Sequence, residues 1–376
     1  MSGPGSTRGD IIVHVFGKTD VGRTREHNED SFVVADLTTM NATLQPEVRT
    51  HRPGPHGTLF MVADGMGGAA AGEIASALAT EVVLQELDTR WRQARDTDPE
   101  LFARSLKAAA ETANARIHQY AVEHPENRGM GTTCTIAGFL GDTLYLAQVG
   151  DSRGYIIRNG VAQQITKDQS LMQKLVEAGE LTAEEAEVSE RRNIILQALG
   201  PEAIVKVDLT SQQVRLGDTL VLCSDGLSGQ VRASDIARIV SEDPDLVAVC
   251  RKLIDLANEN GGPDNITVIA ARFEGSGLEP PSPDEGPAHR PYSSQSEQRI
   301  TQPVDVTAIA GIAEDDAGVD ASARPTVPMV PTEPRNTPAS AVLAEDTRVS
   351  IAKLRLIFGA IAVVIGAVVV YSLLRK

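Results

Sequence analysis

Five short acidic motifs recur along the chain, and each combines Asp or Glu with Gly or Asn. They are Asn28-Glu29-Asp30, Asp64-Gly65, Gly150-Asp151, Ser224-Asp225-Gly226 and Asp264-Asn265. Asp64, Asp151 and Asp225 each end an apolar run that is typical of a buried strand. If such strand ends converge, each pair of carboxylates ~4 Å apart repels by about 4 kcal/mol at an effective dielectric constant of ~20. Hard cations such as Mg²⁺ or Mn²⁺ would remove that repulsion, because they prefer oxygen ligands.

Each motif has an ordinary structural explanation when it is taken alone. Asp-Gly is a common turn sequence, and an Asp that follows a strand often caps a helix. Five such motifs in one domain favour a metal site. Gly65, Gly67 and Gly68 add to this interpretation, because glycine lets the backbone approach a ligand closely and present a carbonyl oxygen.

Arg25 lies just before the first acidic motif. A guanidinium beside a metal-bound carboxylate cluster suggests a bidentate clamp for phosphate. The alternative is a surface arginine that pairs with Glu29. Ser152 and Ser224 have no His partner at a suggestive spacing, so nucleophilic serine catalysis is not expected.

Composition and charge limit the function classes. Of the 376 residues, 41% are apolar, which is sufficient for a real core. Lys and Arg number 35 against 51 Asp and Glu, so the formal net charge is −16. A chain this acidic repels a phosphate backbone, and nucleic acid is therefore not expected as a partner. The three cysteines exclude a disulfide scaffold.

Short β-rich runs recur up to residue 273, and turn signals separate several of them. Asn159-Gly160, for example, is a strong signal for a type I′ turn. Helical patterns are predicted from Gly72 towards Trp91 and over 99–122, 170–178 and 233–257. Because the strands come as hairpins with paired helices between them, we predict an α+β fold of antiparallel sheets covered by helices.

The composition changes after residue 273. Residues 274–350 hold 11 of the 20 prolines, and 13 acidic residues outnumber 5 basic ones, so we predict a disordered linker. Residues 356–374 carry no charge, and 19 helical residues at ~1.5 Å each match a bilayer core of ~30 Å. We therefore predict a C-terminal transmembrane anchor in residues 351–376, with a buried core helix as the alternative.

No apolar run of signal-peptide length occurs at the start of the chain. The large body before the linker is therefore expected at the cytoplasmic face of the plasma (inner) membrane.

The motifs, in their order, resemble those of metal-dependent protein serine/threonine phosphatases of the type 2C (PPM) class, and of the bacterial members in particular. The resemblance covers about residues 12–273 and is carried by VGRTREHNEDS, VADGMGGAAAGEIAS, GMGTTCTIAGF, AQVGDSRGYIIR, LVLCSDGLSG and GGPDNITVI. It implies a four-layer α/β/β/α sandwich with a two-metal site at one edge. Residues 1–273 are then the phosphatase domain.

The same resemblance implies the metal ligands, many of whose contacts run through water. Asp64 is expected to bridge two Mn²⁺ or Mg²⁺ ions. Asp225 and Asp264 hold the first ion, and Glu29 and the Gly65 carbonyl hold the second.

Four further roles follow from the resemblance. Asp30 is expected to orient the attacking water, Arg25 to bind the substrate phosphate and Asn265 to support Asp264. Asp151 matches a position that holds a third, weaker metal in bacterial relatives, where it shares the ion with Asp225. The alternative is a structural Asp151 that caps a turn or pairs with Arg153.

The chain departs from the family pattern at two positions. Met66 stands where eukaryotic members often carry a His proposed as general acid, so an imidazole acid is not expected here. Residues 167–195 match the flap beside the site, and Asp168-Gln169-Ser170 replaces the Asp-His-Ser of bacterial relatives. The second difference bears on flap contacts and substrate preference.

The implied activity is hydrolysis of protein phosphoserine and phosphothreonine by metal-activated water, in opposition to a bacterial Ser/Thr kinase. One alternative is a catalytically weak, membrane-tethered phosphoprotein-binding module, which loss of a core carboxylate would indicate. Another is a different metal-dependent phosphoesterase such as a nuclease, against which the acidic charge argues. All five core acidic residues are present, which favours the phosphatase: Glu29, Asp30, Asp64, Asp225 and Asp264.

Overall fold

Two antiparallel sheets form the centre of the fold. The computed structural model describes residues 9–42, 50–67, 71–94, 97–187, 189, 191, 193–283, 285–287 and 290–292. Their strands are β1 (Ile12–Asp20), β2 (Ser31–Asp36), β3 (Thr50–His51), β4 (Thr58–Ala63), β5 (Gly65–Met66), β6 (Gly131–Thr132), β7 (Cys134–Leu140), β8 (Thr143–Val149), β9 (Arg153–Arg158), β10 (Val161–Gln164), β11 (Asp208–Gln213), β12 (Thr219–Cys223) and β13 (Ile266–Glu274). One sheet has the order β10-β9-β12-β13-β1-β3 and the other β11-β8-β7-β4-β2, while β5 pairs with β6.

Helices cover the outer face of each sheet, and two further short helices lie between β10 and β11 in the chain. They are α1 (Ala71–Leu87), α2 (Pro99–Glu123), α3 (Leu171–Glu177), α4 (Ala183–Glu187), α5 (Asp225–Ser228), α6 (Ala233–Glu242) and α7 (Leu246–Glu259). Helices α1 and α2 bury their alanine-rich faces on the five-stranded sheet. Helices α5 to α7 pack on the six-stranded sheet. The Phe139 and Phe273 rings, 4.7 Å apart, lie in the core between the sheets. The predicted α+β fold is confirmed.

Two helices differ from their predicted extents. The helix predicted from Gly72 ends at Leu87 and continues as a π-helical turn, Asp88–Arg92, in which the buried Trp91 indole donates to the His56 carbonyl at 2.8 Å. The helix predicted over 233–257 is divided into α6 and α7. Pro244 cannot donate to the helical ladder, and Asp245 caps α7.

The residues of one turn predict its hairpin correctly, whereas one strand is too polar to be predicted from the sequence. The turn between β9 and β10 has φ of +53° at Asn159 and +76° at Gly160, as a type I′ turn requires. Strand β11, with the polar sequence DLTSQQ, is not predicted from the sequence. It lies at the edge of its sheet, where it pairs only with β8 among the described strands.

The strand register brings the acidic motifs to one end of the sheets. Ser31 pairs with Ala63, so the residues just before β2 and just after β4 lie side by side. Cys223 at the end of β12 pairs with Arg153 at the start of β9, which aligns the two adjoining turns. The register thus supplies the convergence that the sequence pattern predicts.

The chain beyond the predicted domain boundary at residue 273 stays packed on the domain. Leu278 is 5% exposed and belongs to the core between the sheets. The Tyr292 N–H donates to the Leu209 carbonyl of β11 at 3.0 Å, and the Tyr292 ring packs edge-on against Tyr145. We call the described residues of 275–292 the strap.

An ion network fixes the middle of the strap. The Glu285 carboxylate accepts hydrogen bonds from Arg215 at 2.8 Å and from Arg158 at 3.3 Å. Arg158 also pairs with Asp218 at 2.6 Å, and both of these side chains are 1% exposed. Because a buried charge is costly without its partners, the strap belongs to the fold. The predicted disorder is therefore wrong for these residues. Their composition alone does not show that they have partners on the domain.

Among the described residues, no helix is both long enough and apolar enough to cross a membrane. The predicted span at 356–374 and residues 293–350 of the predicted linker lie outside the described residues. Both stay predictions.

Truncation tests the strap. A chain that ends at residue 273 should unfold with a free energy at least about 2 kcal/mol lower than a chain that ends at residue 292, since it loses the burial of Leu278 and a partner of two arginines. Urea unfolding followed by circular dichroism measures the difference. Leu278→Ala in the longer chain should reproduce part of it. Equal unfolding midpoints for the two lengths would contradict this role of the strap.

Candidate metal centre

Asp64 lies at the middle of the acidic cluster. It directly follows β4, and its main chain is fixed by two threonines at the end of β6. Thr133 Oγ1 accepts from the Asp64 N–H at 2.9 Å, and Thr132 Oγ1 donates to the Asp64 carbonyl at 2.9 Å. Burial and the charges of four other aspartates raise the pKa of Asp64 well above its usual value. Those four are Asp30, Asp225, Asp151 and Asp264. The predicted carboxylates therefore converge.

Burial and neighbouring negative charges also raise the pKa values of the neighbours of Asp64. Burial, and then the charge of Asp264, raise the pKa of Asp225, which also shares a hydrogen bond with Asp64. The pKa of Asp30 rises too, mainly through burial, although Thr267 and Ser224 donate hydrogen bonds to its carboxylate. Without a compensating cation, these carboxylates are hard to keep ionised together.

Glu29 reaches the cluster through a tight backbone contact. The Gly65 N–H donates to the Glu29 carbonyl at 3.2 Å, and a Cβ on Gly65 would lie 2.4 Å from that oxygen. A Cβ on Gly72, in the first turn of α1, would lie 2.7 Å from Glu29 Oε2 and 2.9 Å from the main-chain carbonyl carbon of Gly65. Glycine is therefore required at both positions, and the sequence reasoning missed Gly72. In the GGAAAGE sequence, nothing distinguishes Gly72 from an ordinary glycine at the N-terminus of a helix.

Arg25 sits at the rim of the cluster. Its guanidinium donates to Asp264 Oδ2 at 2.8 Å, and its side chain is 49% exposed. This hydrogen bond uses one of the five N–H donors that arginine carries. The pair differs from the alternative of a surface arginine bound to Glu29, and it keeps a positive charge beside the carboxylates.

Asn265 contacts more groups than the Asp264 carboxylate that it is predicted to support. Its side-chain oxygen accepts from the Glu29 N–H at 2.8 Å, and its amide group donates to the Val21 and His27 carbonyls at 2.9 Å each. Only its main-chain N–H contacts Asp264, at 2.8 Å. Asn265 therefore clamps the loop that carries Arg25 and Glu29.

Asp151 is buried at the turn after β8. Its Oδ1 is buried and has no hydrogen-bond partner. Burial, and then Asp225 and Asp168, raise the pKa of Asp151 to about 7. Arg153 forms its ion pair with Asp168 at 2.7 Å, so the alternative in which Arg153 pairs with Asp151 is not what the structure shows. The third-metal role of Asp151 stays a prediction.

Asp168, Ser170 and Gln169, the residue that departs from the family pattern, anchor the base of the flap. Asp168 pairs with Arg153, and Ser170 caps α3. Gln169 accepts from the Gly150 N–H at 3.0 Å and donates to Asp208 Oδ2 at 3.0 Å. Gln169 thus holds the start of the flap, the start of β11 and the turn before Asp151 together.

The donors present fit hard divalent cations. The cluster offers carboxylates and the carbonyl of Gly65, and it includes buried oxygens of Asp30 and Asp151 that have no hydrogen-bond partner. Within the described ranges, no three His, Cys, Asp or Glu side chains are arranged to hold an ion by themselves. Water and carbonyl oxygens must therefore complete the coordination, as is usual for Mg²⁺.

Comparisons with known proteins place this cluster in a family. The family model described as "Protein phosphatase 2C" matches residues 45–267. The chain belongs to the protein phosphatase 2C family. The matched range includes Asp64, Asp151, Asp225, Asp264 and Asn265.

Relatives of the chain are named serine/threonine phosphatases. The phosphatase PstP of Mycobacterium tuberculosis is 38% identical over 264 residues, which are 69% of this chain but only 45% of that protein. The phosphatase stp of Listeria innocua is 36% identical over 258 residues, 68% of this chain and 94% of that protein. A crystal structure of the PstP catalytic domain with two manganese ions is 35% identical, covers 70% of this chain and 99% of that one, and has a TM-score of 0.57.

A pH experiment tests the raised pKa of Asp151. Since its pKa is about 7 in the folded protein, the fold holds a proton there between about pH 4 and 7 that the unfolded chain releases. The contribution to stability therefore falls as pH rises through that range. In EDTA, Asp151→Asn should be at least about 1 kcal/mol more stable than the parent at pH 8 and equal to it at pH 4.

Urea unfolding at the two pH values measures this difference. Asp255→Asn, on the exposed side of α7, is the control and should leave the free energy of unfolding unchanged at both pH values. A loss of stability on Asp151→Asn at both pH values would instead indicate a structural, hydrogen-bonded aspartate.

Proposed function

We propose that this chain is a metal-dependent protein serine/threonine phosphatase that works at a centre of two Mn²⁺ or Mg²⁺ ions, with a weaker third ion. The observation that carries the proposal is the convergence of Asp64, Asp225 and Asp264, with Arg25 at the rim, in a protein phosphatase 2C chain. The PstP structure with two manganese ions supports the choice of metal.

The residues divide the metal-binding task among them. Asp64 would bridge the two ions, with Asp225 and Asp264 on one side and Glu29 and the Gly65 carbonyl on the other. Asp151 would share the third ion with Asp225. Bound divalent cations lower the pKa of water and neutralise charge on a phosphate. They also offset the repulsion that raises the pKa values of the cluster.

The other residues act on substrate and water. Arg25, half exposed beside Asp264, binds a phosphate oxygen and stabilises the charge that develops in the in-line attack. Asp30 accepts a hydrogen bond from the attacking water and so orients it. No covalent enzyme intermediate is formed. Met66 has no dissociable proton, so water or another acid protonates the leaving Ser or Thr oxygen.

Turnover of a phosphothreonine peptide tests the activity. Asp64→Asn and Asp225→Asn should each lower Mn²⁺-dependent kcat at least ~100-fold, because each removes charge from the ligand set, on the scale of a lost electrostatic stabiliser. Asp255→Asn serves as the matched control. Full activity in excess EDTA would exclude a metal-dependent mechanism. Binding of the peptide without turnover would favour the phosphoprotein-binding module, and cleavage of nucleic acid alone would favour the nuclease.

We also propose that residues 356–374 anchor the chain to the cytoplasmic face of the membrane, where a Ser/Thr kinase would be its opponent. The support is the uncharged 19-residue run, which is long enough for a bilayer core of ~30 Å.

Membrane fractionation tests the anchor. The full chain should sediment with membranes and resist extraction by carbonate. A chain that ends at residue 292 should stay in the supernatant, since it keeps the strap and lacks the apolar run. Full chain in the supernatant would contradict the anchor.

A further inference from the structure

Asp30 is held by two buried hydroxyl groups that sequence reasoning did not identify. Thr267 Oγ1 donates to Asp30 Oδ2 at 2.6 Å, and Ser224 Oγ donates to the same oxygen at 2.8 Å. Both donors are 0% exposed. Asp30 Oδ1, in contrast, is buried and has no hydrogen-bond partner. The two oxygens of one carboxylate are therefore used differently.

The direction of each hydrogen bond follows from its neighbours. The Thr267 N–H donates to Ser224 Oγ at 2.9 Å, so that oxygen accepts there and has its own proton to give to Asp30. On the other side, the Asn28 amide donates to Thr19 Oγ1 at 2.8 Å, and Thr19 Oγ1 lies 2.7 Å from Thr267 Oγ1. The hydrogen bonds therefore all have the same direction: Asn28 donates to Thr19, Thr19 donates to Thr267, and Thr267 donates to Asp30.

This series of hydrogen bonds begins at Asn28 and ends at Asp30, which belong to the same acidic motif. Asn28 Oδ1 accepts from the Asp30 N–H at 3.1 Å, which fixes the main chain of Asp30 while its side chain is fixed by the hydroxyls. The elements involved are the end of β1, the loop before β2, the turn after β12 and the start of β13. Asp30, which directly precedes β2 of the five-stranded sheet, is therefore held by side chains of the six-stranded sheet.

We propose that Thr267 and Ser224 are positioning residues that occupy Oδ2 of Asp30 and leave Oδ1 as the oxygen that accepts from the attacking water. The inference rests on the proposed phosphatase function. A carboxylate with both oxygens unrestrained could rotate and present either one. Two donors on Oδ2 remove that freedom, and a misplacement of ~1 Å at such a group can cost ~10²-fold in rate.

Removal of one hydroxyl without change of shape tests the proposal. With a phosphothreonine peptide and saturating Mn²⁺, Thr267→Val should lower kcat at least ~10-fold with KM within about twofold of the parent. Thr267→Ser keeps the hydroxyl and should recover most of the loss. Thr210→Val is the matched control, because Thr210 is also a buried strand threonine but donates to the Ile165 carbonyl. It should leave kcat unchanged.

A double-mutant cycle separates positioning from a general structural role. In an Asp30→Asn background, Thr267→Val should lower kcat by less than about twofold, because the group through which it acts is already disabled. Calorimetric titration should give a Mn²⁺ affinity for Thr267→Val within about twofold of the parent. If Thr267→Val does not fold, Ser224→Ala removes the other donor and is put through the same cycle.

The outcomes are distinct. A parent that does not hydrolyse the peptide would overturn the proposed function itself. An active parent with unchanged kcat in Thr267→Val and Ser224→Ala would overturn only this inference, and so would an equal loss with and without Asp30→Asn. A large loss of Mn²⁺ affinity would assign Thr267 to the metal site instead of to Asp30.

Discussion

The repulsion among buried carboxylates is the constraint on which the rest of the structure depends. Asp64, Asp225 and Asp30 all have raised pKa values: the charges of Asp30 and Asp225 raise that of Asp64, and the charge of Asp225 also raises that of Asp30. A cluster of this kind opposes folding unless cations or donors offset its charge. The surrounding fold supplies donors for part of this charge, namely the Thr267 and Ser224 hydroxyls on Asp30 and the Arg25 guanidinium on Asp264. It leaves the remaining charge for a ligand.

This constraint explains why both sheets end in the same place. Antiparallel strands with matched register put the residues after β4 and β12 next to those before β2 and β13. The cluster draws on both sheets, because Asp64 follows β4 of the five-stranded sheet and Asp225 follows β12 of the six-stranded sheet. The aromatic contact between Phe139 and Phe273 belongs to the core that joins the sheets, and so it is part of what keeps the halves of the cluster together.

Sequence patterns predict the parts of this structure that repeat a simple rule. Apolar runs that end in Asp identify the strands and the carboxylates, and Asn159-Gly160 identifies a turn. Residues whose importance comes from a contact across the fold are not predicted. Gly72 matters because Glu29 lies against it, and Thr267 matters because Asp30 does, yet neither pair is close in sequence. Asn265 is predicted from the sequence to support Asp264, but its further contacts with the main chain of Val21 and His27 come from the fold, in which the register of β1 and β13 brings Val21 near.

The strap has a consequence for association between copies of the chain. Strand β11 is the edge of the five-stranded sheet, and an open edge offers main-chain donors and acceptors to any other strand. The strap occupies part of that edge, since Ser211 and Leu209 are hydrogen-bonded to residues 290 and 292. A chain cut before the strap would present a bare edge and an uncovered Tyr145, two features that favour edge-to-edge aggregation. The strap thus protects the domain against self-association.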